Sequence, residues 1–197
     1  NLFNLINITS NNCNFKYCIC CSTDNTNNVV SNLSPFNENK CALDFNNSTK
    51  TMNFGFSGTG LKIANLNIQH LLPKLDELKC HLSQTSSPKI LGLCETFLHD
   101  NIKNNELQIK NYKFERKDRK VKKGGGIITY INEAIVYKRR YDLEINDIES
   151  IWIQIFCKNR KSFLINFVYR PPNSNQAWID LYEAQLEKAD CSNHVYY

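Results

Sequence analysis

The sequence predicts an α/β domain, a mixed β-sheet with helices packed outside it, from three observations. LKIANLN, LLPKLDELKCHLSQ and KILGLCET follow one another as strand, helix and strand within ~35 residues, the length of a βαβ unit. A series of β-branched or aromatic runs separated by turn-like or charged residues comes next. A last helical pattern then follows PPNSNQ.

Residues 1 to 60 show neither a helical nor a strand period over any useful length. They are Asn, Ser and Thr with isolated apolar residues, ending in FGFSGTG, and read as a mostly irregular segment. Within it CNFKYCICC, with Cys13, Cys18, Cys20 and Cys21, and the later Cys41 invite a zinc reading. The spacing lacks two well-separated ligand pairs and no histidine precedes residue 60, which favours a degenerate finger remnant or unrelated thiols.

The predicted domain runs from residue 61 to 197. LKIANLN is its first strand, and Leu71, Leu75, Leu78 and Leu82 share one face of the helix that follows. KILGLCET is a continuous apolar run of the kind buried on both faces, so the two strands are expected to be parallel with a right-handed crossover. YKFERKD, GGGIITYIN, AIVYKRRYDL, SIWIQIFC and SFLINFVYR are successive strands whose short connections imply antiparallel pairing. Trp178, Leu181, Tyr182, Gln185 and Leu186 recur at helical spacing, the helix ends near Ala189, and HVYY looks like the start of another strand.

Composition narrows the function classes. With 42% hydrophobic and 11% aromatic residues, disorder throughout is excluded. No run approaches the ~20 apolar residues of a membrane span, and NLFNLINITSNN lacks the basic start of a signal peptide. Nine cysteines, an odd number scattered through polar and apolar stretches alike, argue against a disulfide framework and for a reducing, intracellular compartment. Sequons at Asn7, Asn32 and Asn46 would argue otherwise, but Asn-rich, Ser/Thr-rich sequence makes N-x-S/T by chance. The net charge of +5 permits a polyanionic partner without demanding one. Its placement says more: lysines and arginines concentrate in Lys110 to Lys123 and at Lys138-Arg139-Arg140. The chain begins at Asn rather than Met, as a fragment would.

The first strand ends in Asn67 and the second in Glu95. Parallel strands finish on one edge, and α/β sheets bind ligands outside that edge. An amide and a carboxylate can converge there, Glu95 ligating a hard cation and Asn67 orienting a ligand or a phosphate oxygen. On spacing alone the alternative stands, with Glu95 capping the following turn through backbone N–H groups and Asn67 a turn residue. Gly124-Gly125-Gly126 lacks the Lys-Ser/Thr that follows in a P-loop, so close backbone approach at the entry to a buried strand explains it better. The basic run before it is either a solvated loop or a phosphate-binding one. His70 reads as loop or cap, and His194 carries no motif.

NLNIQHLLPKLDEL, ILGLCETFLHD, RKDRKVKKGGGIITYI, ESIWIQI and FVYRPPNS, in that order between Leu61 and Tyr197, resemble the endonuclease/exonuclease/phosphatase superfamily. They are more closely similar to the apurinic-endonuclease-like domain at the front of jockey-like non-LTR (LINE-type) retrotransposon polyproteins. ETFL after an apolar strand, combined with GGG-I-x-x-Y-I and VYRPP, carries the resemblance. It implies a DNase-I-like fold, here a partial four-layer β-sandwich with mixed sheets flanked by helices, holding the N-terminal half of the domain. It also implies a Mg²⁺-dependent endonuclease, with Mn²⁺ as an alternative, that nicks target DNA for reverse transcription in the nucleus. A reverse transcriptase domain is expected in the full-length parent, and no membrane partner. Carried over residue by residue, Asn67 matches the family's asparagine that positions the scissile phosphate and metal, and Glu95 the glutamate that binds Mg²⁺. Tyr169 matches a tyrosine that hydrogen-bonds phosphate, its alternative being a strand-end aromatic packed on the core. Lys117, Arg119, Lys120, Lys122 and Lys123 become possible DNA-phosphate contacts, which would give salt-dependent affinity without sequence reading.

The family's remaining machinery, an aspartate and a histidine paired with another aspartate, lies in G-D-x-N and later S-D-H segments, and neither occurs in these 197 residues. The resemblance therefore implies an incomplete copy, inactive alone, with exposed apolar strand edges where the rest of the sandwich is missing. The alternative is a non-catalytic nucleic-acid-binding or interaction domain that keeps the fold. Phosphatase action on a small phosphoester is disfavoured by the VYRPP and ETFL contexts. CNFKYCICC followed by LSPFN resembles the frayed tail of a PHD-like finger.

Overall fold

The computed structural model describes residues 4–8, 16–21, 60–120, 124–159 and 161–193, and among them nine strands form two sheets. One sheet sets β1 (Asn4–Ile8), β3 (Leu61–Asn67), β4 (Ile90–Cys94), β6 (Ile127–Asn132) and β5 (Tyr112–Lys117) side by side in that order. The other runs β2 (Lys16–Cys21), β9 (Phe163–Arg170), β8 (Glu149–Ile155) and β7 (Tyr137–Arg139). β3 and β4 are parallel, as the βαβ pattern requires, and every pair among β4 to β9 is antiparallel.

Side-chain alternation builds the layers. On one face of the first sheet, Ala64, Leu66, Leu91 and Leu93 meet Leu71, Leu75, Leu78 and Leu82 of the short 3-10 turn region and α1 (Leu75–Leu82). On the other face Ile63, Ile90, Cys94, Ile127 and Ile131 pack against Ile151, Ile153, Ile165, Phe167 and Tyr169 of the second sheet. β4 is therefore buried on both sides, which is why its sequence is an unbroken apolar run. The Phe167 ring occupies the place where a Cβ on Gly92 would stand. α2 (Gln176–Asn193) covers the outer face of the second sheet, with Tyr182 and Ala189 against Val168, Trp152 and Leu164. Gln185 Oε1 fastens it, accepting from Ser150 Oγ at 3.0 Å and Trp152 Nε1 at 3.1 Å. Helix, sheet, sheet, helix is the four-layer order expected.

Some expectations change. α2 continues past Ala189 to Asn193, and Leu181 is 37% exposed rather than on the inner face. Within residues 1 to 60, read as mostly irregular, the described residues include two short strands, β1, antiparallel to β3, and β2, parallel to β9. Runs of five and six residues carry too little pattern to be read alone, and main-chain bonding to an open strand flank completes them. The flanks of β3 and β9 are paired in this way rather than left as exposed edges. Cys13, Cys41, Asn32, Asn46, Lys122, Lys123 and the HVYY segment lie outside the described residues, as do the side chains of Cys18, Cys20 and Cys21. Among the described residues no helix is long and apolar enough to cross a membrane.

Candidate active site

Register gathers several strand ends at one end of the sandwich. Asn67 at the end of β3 is level with Cys94 at the end of β4, Cys94 with Ile127 at the start of β6, and Ile127 with Lys117 at the end of β5. In the second sheet Tyr169, near the end of β9, is level with Glu149 at the start of β8. Glu95 is one of the side chains that join the two sheets here.

Alternation along β4 would send the residue after Cys94 toward α1. Glu95 instead takes a left-handed backbone, φ +54°, and its Oε1 accepts a 2.7 Å hydrogen bond from the Tyr169 hydroxyl across the sandwich. The turn is held from both sides. Main-chain carbonyls of Glu95 and Thr96 accept from His70 N–H (2.8 Å) and Leu71 N–H (3.0 Å), and Thr96 and Phe97 donate to Gly126 and Gly125 carbonyls (3.3 and 3.0 Å). The Glu95 carboxylate takes no backbone N–H among the described residues, so the capping alternative does not describe it. Tyr169 is 5% exposed, and burial first, then its bond to the Glu95 carboxylate, push its phenol well above the ordinary value, against an opposing pull from Arg119. It is held protonated, as a donor. Asn67 ends the neighbouring strand, level with Cys94, half-buried, its Oδ1 accepting from Gln69 N–H at 3.2 Å in the turn role that spacing alone allows.

The basic run divides. Lys117 Nζ donates to the carbonyls of Ile145 (3.0 Å) and Ile148 (2.8 Å) and lies 3.8 Å from Glu144, and burial lowers its pKa from the ordinary lysine value. Arg119 donates through Nε to Glu149 Oε1, while Glu149 Oε2 accepts Gly126 N–H at 2.7 Å. Its guanidinium lies over the Tyr169 ring, 5.6 Å from the centroid, and Nη2 is buried without a hydrogen-bond partner among the described residues. Both were possible DNA-phosphate contacts by sequence; their charged groups are received by the Ile145 and Ile148 carbonyls and by Glu144 and Glu149. Lys120 is exposed. The three glycines all have positive φ, and a Cβ on Gly125 would run into the Arg119 guanidinium while one on Gly126 would come within 2.8 Å of Thr96 Oγ1. Close approach, not a phosphate cradle, accounts for them.

Sequence reasoning missed Glu149 and the inward course of Arg119. The signal that finds them is register, Glu149 beside Tyr169, which a single sequence does not display. As a donor set, the Glu95 carboxylate and the Asn67 amide offer oxygen, the ligand of hard cations, and Glu95 Oε2 has no protein donor among the described residues. No group of three or more His, Cys, Asp and Glu able to hold a metal stands among the described residues. Of Glu95 and Asn67, only Glu95 brings a charge, and the Asn67 Oδ1 already accepts from Gln69 N–H.

No protein-family profile matches the chain, and no curated protein matches it. Among solved structures it is similar to the human Nocturnin catalytic domain with bound sulfate anion, at 15% identity and a TM-score of 0.37, over 68% of this chain and 55% of that one. The likeness is distant, and the chain spans about half the length of that domain.

Proposed function

We propose that this chain carries part of a DNase-I-like, metal-dependent phosphodiesterase domain acting on DNA, derived from the endonuclease of a non-LTR retrotransposon. The observation that carries the reading is the Tyr169 hydroxyl held 2.7 Å from the Glu95 carboxylate across the two sheets, where the parallel strands end. A buried phenol kept protonated has one O–H, and with a cation on the Glu95 carboxylate it can turn that O–H from Glu95 to a phosphate oxygen placed next to it. Glu95, with Asn67 beside it, would hold Mg²⁺ or Mn²⁺, which when bound polarises the phosphoryl group and stabilises the leaving oxygen. Glu149 is not a second ligand in this reading, since both its oxygens are engaged, by Arg119 and by Gly126 N–H. Without G-D-x-N and S-D-H, the 197 residues bind but do not hydrolyse. In the parent protein a reverse transcriptase would accompany this domain, and the nucleus would be its place of action.

Fluorescence anisotropy with a labelled duplex oligonucleotide tests this. Mg²⁺ or Mn²⁺ should tighten binding by the wild-type chain, EDTA should remove the gain, and Glu95→Gln, which can still accept from Tyr169, should show no gain at all. Binding indifferent to chelator and to Glu95→Gln would overturn the metal-dependent reading in favour of a non-catalytic nucleic-acid-binding domain. Nicking of supercoiled plasmid by this chain, abolished by Glu95→Gln, would overturn the claim that it does not hydrolyse alone.

A further inference from the structure

Four non-glycine residues with left-handed backbone crowd into the two loops at this end, Gln69 (φ 45°), His70 (76°), Glu95 (54°) and Phe97 (57°). Such a backbone is uncommon outside glycine and an outlier for a bulky aromatic, and it persists where the surroundings over-determine it, often at functional sites. At Glu95 the product is the carboxylate on Tyr169. At His70 and Phe97 the product is a pair of stacked rings, centroids 5.7 Å apart and planes at 27°, with Phe97 37% exposed and His70 exposed. The core does not need either ring. Leu71 and Leu98, the next residues in each loop, are buried at 0% and 4% exposure, so each turn sends a leucine inward and an aromatic ring outward. The pair is tied to the site by His70 N–H on the Glu95 carbonyl, 2.8 Å, and Phe97 N–H on the Gly125 carbonyl, 3.0 Å. Gly124 backs the Phe97 ring, where a Cβ would stand 3.2 Å from it, and Lys122 and Lys123 directly precede Gly124 in the chain.

We propose that Phe97 and His70 form a stacking platform for an unpaired nucleobase of the strand whose phosphate lies at Glu95. The proposal rests on the phosphodiesterase reading and deepens it, because it states how the substrate is gripped: by the face of a base, tolerant of sequence, rather than by base edges. A base inside a duplex has both faces covered by its neighbours. The platform therefore takes a base that is single-stranded or has left the stack.

The test compares the 197-residue chain with its Phe97→Leu and His70→Ala variants on two single-stranded oligonucleotides of equal length and charge. One carries 2-aminopurine among ordinary bases, and the other is abasic throughout. Phe97→Leu keeps apolar bulk but removes the ring; it should lose about tenfold in affinity for the base-bearing strand and nothing for the abasic one. Quenching of 2-aminopurine emission by the wild type should disappear in Phe97→Leu and persist in Phe97→Trp. Should Phe97→Leu alter the fold by circular dichroism, His70→Ala provides the same comparison from the other ring. Equal affinity of the wild type for both strands, or unchanged quenching in the variants, overturns the platform and leaves the phosphodiesterase reading in place. Failure of the wild type to bind either strand while it still binds the labelled duplex overturns the platform alone, and failure to bind the duplex as well overturns both.

Discussion

Glu149 holds a guanidinium on one carboxylate oxygen and a backbone N–H on the other, and this small cluster sets how Tyr169 stands against Glu95. Arg119→Ala would leave a carboxylate only 17% exposed with Gly126 N–H as its remaining donor, a loss of about 3 kcal/mol by the usual cost of stripping one partner from a buried pair. The urea midpoint reads it. Gly125→Ala should cost about 1–3 kcal/mol, from a backbone at φ +67° and from the collision of its Cβ with the same guanidinium. Part of that cost vanishes once Arg119 is gone, so the double mutant should be more stable than the sum of the singles by about 1 kcal/mol. Strict additivity would mean that the two do not touch. At this scale the placing of Glu95 and Asn67 at the ends of two parallel strands was legible from the apolar runs before them, whereas Tyr169 entered only through the resemblance. The direction of Lys117 and Arg119 was not. A basic run looks the same whether solvated or turned inward, and what turns it, Glu144 and Glu149, stands far along the chain.

β4 shows how an element can be readable and still hide its tightest contact. Its continuous apolar run announced burial on both faces, and the sandwich between α1 and the second sheet delivers it. Gly92 within it is a different matter, since nothing in ILGLC says that an aromatic ring from another sheet will lie on its Cα. Gly92→Ala should overpack this seam and cost about 2 kcal/mol or more, with the β-sheet spectrum retained but the denaturation midpoint lowered. Phe167→Leu in the same chain should recover part of that loss although it is destabilising by itself, by about 1 kcal/mol. No recovery would mean that the strain lies in the strand rather than against the ring. β1 and β2 mark the opposite limit. Their main-chain pairing with β3 and β9 is seen only in the fold, and runs of five and six residues offer a sequence reader little pattern.

For the whole molecule, a mixed sheet with helices outside was legible from the succession of elements and the four-layer order was implied by the resemblance, but the junctions between the layers were not legible, and several are closed by phenols. Tyr112 donates to the Pro88 carbonyl (2.7 Å), Tyr130 to that of Leu107 (2.8 Å), Tyr137 to Glu115 (3.1 Å) and Tyr169 to Glu95 (2.7 Å). Burial is the first cause that raises each of their pKa values above the ordinary 10.0. Above pH 10 the unfolded chain therefore binds fewer protons than the folded one. The stability these groups contribute is whole below that pH and is lost as pH rises from there toward the folded values. Lys117 has the opposite sign: burial lowers its pKa, so from its depressed value up to 10.5 the folded state has shed a proton that the unfolded state keeps, and stability rises with pH. Above that window the lysine contributes no slope and the four phenols act alone, each by up to about 1.4 kcal/mol per pH unit. Urea midpoints from about pH 8 to pH 11 should hold or rise slightly and then fall steeply, with phenolate absorbance from these tyrosines appearing only as the protein unfolds. Tyr169→Phe should shallow the fall by one phenol's share. Absorbance that titrates fully near pH 10, ahead of unfolding, would show the layer junctions to be open to water, and with them the Glu95–Tyr169 contact on which the proposed chemistry depends.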